Sequence, residues 1–258
     1  MPHAFLLVVC GVFGLLIGSF LNVVIWRVPR GESIVSPGSH CPGCDAQLSP
    51  LENIPVLAWL ALRGRCRHCH THISVRYPLV ELANAGLWVG LAQRFGQSWE
   101  LPAFLALAAG LVALSMIDLD HFLLPNRVLY PTGFLVGALL LLPAVIDGEW
   151  SAYLRAALGG IAAFAVFFLI HVISPRGMGF GDVRLSFVLG VALGWLSWGH
   201  IFLGLFVGFL LGAVVGVFLI ATRLRTRKQP VPFGPFMAAG ALIAVFAGAQ
   251  LLDLYRGT

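Results

Sequence analysis

Eight apolar runs, each about 16 to 23 residues long, fill most of this 258-residue chain and decide what it can fold into. Wound as a helix, such a run spans the roughly 30 Å hydrocarbon core of a bilayer. Backbone N–H and C=O groups find no water at that depth, so only helices and closed barrels cross it. The runs cover about residues 4–26, 78–95, 101–117, 128–146, 155–174, 183–198, 200–222 and 233–252. They predict an all-α polytopic membrane protein with about eight transmembrane helices. Composition agrees: charged residues make up 10% of the chain, against about a quarter in soluble domains. The first run has neither a basic segment before it nor a small-residue cleavage site after it, so it is expected to be a retained helix.

Lys and Arg collect in cytoplasmic loops. With the N-terminus outside, the inner segments hold Arg27, Arg30, Arg63, Arg65, Arg67, Arg76, Arg127, Arg176, Arg184, Arg223, Arg225, Arg227 and Lys228. Only Arg94, Arg155 and Arg256 fall outside. The same bias accounts for the net charge of +5. No basic stripe interleaved with aromatics is present, so no nucleic-acid partner is predicted. The run from Arg223 to Lys228 reads as a stop at the inner surface or as a contact with anionic lipid. Membrane lipid is the partner that composition itself demands.

One long polar stretch, residues 27–77, separates the first two runs and holds four of the five cysteines. They form two pairs, Cys41-Pro-Gly-Cys44 and Cys66-Arg-His-Cys69, with 21 residues between them. Two such knuckles at about this distance are the pattern of a zinc ribbon, each supplying two thiolates to a tetrahedral ion. Disulfides or a redox pair are the other readings, and a reducing cytoplasm disfavours them. A segment of about fifty residues buries little core, so a bound metal supplies folding free energy that packing cannot. His40, His68, His70 and His72 read as solvated loop residues beside four thiolates, and Cys10 as a small buried hydrophobe.

Two acidic stretches remain. "SMIDLDHFLLPN" places Asp118 directly after an apolar run and Asp120 two positions on. "MGFGDVRL" places Asp182 after Gly179 and Gly181, which flank Phe180 and let the backbone turn sharply. By the topology above, Asp118 and Asp182 lie at the cytoplasmic ends of helices, at one depth. Ionisable groups there are costly and face a bundle interior or a watery cavity. Two carboxylates in contact hold one proton between them, which equips one as base and the other as acid toward a water. That is aspartic-protease chemistry. The plain reading is that they cap helices or pair with Arg127, Arg176 or Arg184. Glu81, early in the second run, reads as lining the same cavity or as a snorkelling charge paired with Arg76. Glu52 reads as a structural turn residue. His171 and His200 at helix ends carry no assigned chemistry, and Asp147 and Glu149 fall in an outer loop.

"GFGDVRL", "IDLDHFLLPN" and "CPGCDAQLSPLENIPVLAWLALRGRCRHCHTHISVRYPLVELANA" together resemble the type IV prepilin peptidases, from the first helix through "FGPFMAAGAL". The resemblance implies a membrane aspartic endopeptidase of the bacterial inner membrane, its active site facing the cytoplasm. Its substrates would be type IV prepilins and pseudopilins, each losing a short basic leader after a glycine. In many members the new N-terminus is then methylated from S-adenosylmethionine. The matching positions make Asp118 and Asp182 the catalytic pair, with Asp120 a lesser candidate. Gly179 and Gly181 support the loop, and Cys41, Cys44, Cys66 and Cys69 hold structural Zn2+. No residue set for S-adenosylmethionine follows. The segments divide as a first transmembrane helix (1–26), a cytoplasmic tetracysteine domain (27–77) and a protease domain (78–258). Two departures stand out: members commonly have Lys at Arg184 and often Asp at Asn126. A proton-coupled transporter fits poorly, because the acids cluster at one face and no inverted repeat shows. A non-catalytic anchoring protein, binding a partner through the ribbon, is the other class.

Overall fold

The computed structural model describes residues 2–175, 177–223 and 231–256. Arg176, Arg225, Arg227 and Lys228, counted above as inner-surface charges, lie outside the described residues. Among the described residues the chain forms nine α-helices, short 3-10 turns and no strand. The helices are α1 (His3–Arg27), α2 (Leu57–Ala61), α3 (Arg76–Phe95), α4 (Leu101–His121), α5 (Asn126–Ile146), α6 (Trp150–Ile173), α7 (Phe180–Leu196), α8 (Trp198–Ala221) and α9 (Gly234–Arg256).

Among the described residues six segments are long and apolar enough to cross a membrane: His3–Arg30, Leu101–His121, Asn126–Ile146, Trp150–Ile173, Trp198–Ala221 and Gly234–Leu254. The other two expected spans form as helices but fall short of that standard. The 17 residues of α7 extend about 25 Å. α3 carries Arg76, Glu81 and Arg94.

The chain divides into two compact units, Met1–Gln97 and Ser98–Thr258. In the first, α1 and α3 pack through small residues. A Cβ added to Gly14 or Gly18 would fall 2.7 Å from the Cα of Ala85 or Glu81. Such close approach is how apolar helices associate where lipid removes the hydrophobic drive. Polar bonds lock the register: Asn84 Nδ2 donates to the Gly14 carbonyl at 2.8 Å and Asn22 Nδ2 to the Tyr77 carbonyl at 3.1 Å. Arg27, read above only as a topological charge, is buried. Its guanidinium donates to the carbonyls of Ser33, Pro37 and Gly38 and so shapes the chain as it leaves α1.

In the second unit α4 runs through the core, with Phe104, Leu107, Leu111, Leu114 and Ile117 enclosed. α7 contributes Leu185, Leu189 and Leu193 to the same core. Gly159 and Gly160 bring α6 against Gly190 of α7, and Gly204 and Gly208 bring α8 against Gly240 of α9. Arg155, expected only as an outer charge, caps α7. Its Nε donates to the Gly194 carbonyl at 2.8 Å and its Nη2 to the Trp195 carbonyl at 2.6 Å. Those carbonyls have no partner within the helix and carry its negative dipole end. Trp195 Nε1 also donates to Oε2 of Glu100, the residue before α4, at 3.0 Å. The start of α4 and the end of α7 thus share one end of the unit. The end of α4 and the start of α7 therefore meet at the other, and each carries one of the two aspartates.

Candidate active site and metal cluster

The apolar run ends at Ile117, yet α4 continues through His121, so Asp118 sits in the last helical turn rather than beyond it. It is buried, and its Oδ2 accepts the Gly234 N–H at 3.0 Å. Asp120 is exposed. Two residues along an α-helix turn the side chain by about 200°, so Asp118 and Asp120 point to opposite sides of α4. α7 starts at Phe180, earlier than the apolar run implied, which makes Asp182 a first-turn residue. It too is buried, and its Oδ2 accepts the Gly179 N–H at 3.2 Å. Among the described residues Oδ1 of each aspartate has no protein hydrogen bond. Asp118 lies close enough for its charge to act on Asp182.

Leu124, in the α4–α5 turn, ties these segments together. A Cβ on Gly181 would fall 3.1 Å from Leu124 Cβ, and one on Gly234 would fall 3.1 Å from Leu124 Cδ2 and 2.8 Å from Asp118 Oδ2. Gly181 therefore serves close packing rather than open space. Gly234→Ala is expected to push the Asp118 carboxylate aside. A displacement of about 1 Å at reacting groups costs on the order of 10²-fold, so the turnover rate should fall by about that factor while the protein still inserts.

The loop before Asp182 is held from α6. His171 Nδ1 lies 2.8 Å from the Met178 carbonyl, and because a carbonyl only accepts, that nitrogen carries the hydrogen. Phe180 packs against the His171 ring, centroids 5.5 Å apart, and the Arg184 guanidinium lies 4.6 Å from the Phe180 ring centre. His171, left above without assigned chemistry, thus positions the loop that carries Asp182.

The four cysteine sulfurs of the insert lie within 4.8 Å of one another. Cys41 and Cys69 are 3.7 Å apart, Cys44 and Cys66 4.0 Å. A tetrahedral ion with metal–sulfur bonds of about 2.3 Å sets sulfurs about 3.8 Å apart, far beyond the roughly 2.05 Å of a disulfide. Both knuckles have one backbone design. The Cys41 N–H donates to the Ala46 carbonyl and the Asp45 N–H to the Cys41 carbonyl; Cys66, Thr71 and His70 repeat the pattern. Asp45 and His70 take φ of 54° and 58° at equivalent places. The Gly43 and His68 N–H groups each point to the first sulfur of their knuckle at 3.4 Å. Hydrogen bonds with the Thr71 side chain and backbone hold the Cys69 thiol down to about 6. The Ala46 N–H favours a Cys44 thiolate, but the neighbouring sulfurs and desolvation outweigh it and push Cys44 up to about 12. Four crowded thiols cannot all ionise alone. A cation among them resolves that conflict, so the donor set fits a metal ion. The four histidines nearby are exposed and lie outside the cluster.

Residues 12–95 match the bacterial peptidase A24 N-terminal domain and residues 105–217 the type IV leader peptidase family. A prepilin leader peptidase/N-methyltransferase of Stutzerimonas stutzeri is 37% identical over 98% of this chain and 94% of its own length. The protein of the same name from Pseudomonas aeruginosa is 35% identical over the same shares. That of Myxococcus xanthus is 44% identical over 83% of this chain and 63% of its own length. This chain belongs to the type IV leader peptidase family. It is a peptidase, and its six apolar helices make it a multi-pass protein of the bacterial inner membrane. No solved structure matches it.

Within this leader peptidase Arg184 and Asn126, noted above as departures, are in contact: Arg184 Nη1 donates to Asn126 Oδ1 at the start of α5. Glu52 is a turn residue, its Oε2 accepting the Ser49 N–H at 2.9 Å. Glu81 is not a snorkelling charge. It is buried in the first unit and accepts the Val56 N–H at 2.7 Å. Val56 holds φ of 61°, which a β-branched residue adopts only under constraint. Gly234 lies beyond the matched residues. The sequence offered a signal for it only in the Phe-Gly-Pro that opens the last helix.

Proposed function

We propose that this chain is a membrane-embedded aspartic endopeptidase that removes the short basic leader from type IV prepilins and pseudopilins at the cytoplasmic face, then methylates the new N-terminus from S-adenosylmethionine. The observation that carries the peptidase half is the pair of buried carboxylates from separate helices, each fixed through Oδ2 by a backbone N–H. With Oδ1 of both available, one carboxyl keeps a proton and the other takes one from a water that attacks the scissile carbonyl. The protonated partner donates to the carbonyl oxygen. Gly179 leaves the approach to Asp182 narrow in backbone and free of side chain.

All eight long helices cross the membrane in this reading, with the N-terminus outside. The 27–77 insert, Asp118, Asp182 and the α9 start then face the cytoplasm, where a basic leader resides. Zinc is the ion at Cys41, Cys44, Cys66 and Cys69, where it supplies folding energy and takes no part in hydrolysis. The methyl transfer is supported by the relatives' names alone.

The test uses the purified full chain in lipid nanodiscs with a prepilin of basic leader. Cleavage after the glycine that precedes the apolar segment is expected, together with label on the new amine when labelled S-adenosylmethionine is added. An intact prepilin would refute the peptidase reading; a cleaved but unlabelled product would refute the methyl transfer only.

A further inference from the structure

The tetracysteine insert exposes an apolar series that its own unit does not cover. Leu51, Ile54, Leu57 and Leu60 recur every third residue through a 3-10 turn, a kink at Val56 and α2, and they are 74%, 40%, 64% and 57% exposed. Leaving large aliphatic side chains in water costs roughly 25 cal/mol for each Å². The series is held rigid rather than loose. Glu81 fixes the Val56 kink, and Trp59 Nε1 donates to the Ile73 carbonyl at 3.0 Å.

Charge continues the pattern. Arg63, Arg65 and Arg67 follow, all exposed. The only acid from residue 51 to 72 is Glu52, whose carboxylate is engaged with the Ser49 N–H. Apolar side chains beside a row of cations are the chemistry of a surface that sits in the headgroup layer of a bilayer. Geometry supplies the rest, because the insert is tethered by α1 at one end and α3 at the other and stays at the bilayer surface. A basic leader is repelled by these arginines, which leaves anionic lipid as the complementary occupant.

We propose that residues 51–67 form a lipid-docking surface, with Leu51, Ile54, Leu57 and Leu60 in the interfacial layer and Arg63, Arg65 and Arg67 on anionic phospholipid headgroups. This inference is independent of the peptidase reading, since its test involves no substrate.

The full chain, carrying the photo-crosslinker benzoylphenylalanine at Leu57 or Leu60, is irradiated in nanodiscs of phosphatidylglycerol or of phosphatidylcholine. Unchanged metal content confirms that each variant folds. Expected are lipid adducts at both positions, several-fold above those from the exposed Gln47 and higher with phosphatidylglycerol. Replacing the three arginines by Gln should lower that preference by about fivefold per charge removed. Adducts to protein alone, whether to another part of the chain or to a second copy, would overturn the proposal. So would equal labelling at Gln47. Hydrogen exchange of the unmodified protein provides a second reading: amides of residues 51–62 should exchange more slowly in phosphatidylglycerol than in phosphatidylcholine, and equal rates would count against docking.

Discussion

Asp182→Asn and Asp118→Asn are each expected to insert and fold normally yet cleave prepilin on the order of 10³-fold more slowly, as loss of a positioned acid or base commonly costs 10²–10⁴. The substitution is chosen because it separates chemistry from structure. An Asn side chain keeps an oxygen that can accept the Gly234 N–H at residue 118 or the Gly179 N–H at residue 182, the bonds that hold the two carboxylates. What it loses is the ability to take or give a proton. The two residues act as one unit, so the double variant should be little slower than either single one. Asp120→Asn is the internal control: exposed on the far side of α4, it should cleave within about twofold of the parent, as surface changes away from special features usually do. Steady-state cleavage of a purified prepilin in nanodiscs measures all four. A single variant of Asp118 or Asp182 that cuts at the parent rate would remove the dyad.

Much of this was legible because a bilayer leaves a chain few choices. Apolar length alone located every long helix, and the spacing of Cys41, Cys44, Cys66 and Cys69 was enough to expect one cluster, because each knuckle is a local turn. The aspartates were legible as candidates since an acid beside an apolar run is costly. Their surroundings were not. The Gly234 N–H that holds Asp118 comes from 116 residues away, and a glycine before a proline looks like any helix start. Arg155 and Arg27 looked like topology markers, because charge counting sees a residue's sign and not its partners. Arg155 caps α7 and Arg27 gathers three loop carbonyls. Glu81 read as a cavity-lining acid or a snorkelling charge because its partner, the strained turn at Val56, has no signature of its own. The span count met a similar limit: apolar runs counted α3 and α7 as spans like the others, whereas α3 carries Arg76, Glu81 and Arg94 and α7 is 17 residues long.

Removing the metal is expected to unfold the insert. Purified protein should contain one zinc per chain, and a strong chelator, or Cys66→Ser, should abolish it and raise hydrogen exchange across residues 39–73 to near the unstructured rate. The magnitudes make the direction clear. Structural zinc contributes about 10–16 kcal/mol in small domains at neutral pH, while a core of this size supplies only about 3–5 kcal/mol. Cys66 is the informative position because it is buried and its knuckle is closed by its own backbone bonds with Thr71 and His70. Cys10→Ser, in α1 and outside the cluster, should leave zinc content unchanged. Acid should act in the same direction as the chelator. Each ligand must be a thiolate, and without metal Cys69 sits near 6 whereas Cys44 is pushed up to about 12. At neutral pH Cys69 is largely ionised already, whereas Cys41 and Cys44, both pushed up, must give up protons to zinc, and below about pH 6 the Cys69 proton must be displaced as well. Zinc affinity should therefore fall more steeply with each further unit of acidification below that point, as read by competition with a chromophoric chelator. A pH-independent affinity, or full exchange protection of residues 39–73 in metal-free protein, would show that packing rather than the ion holds the two knuckles together.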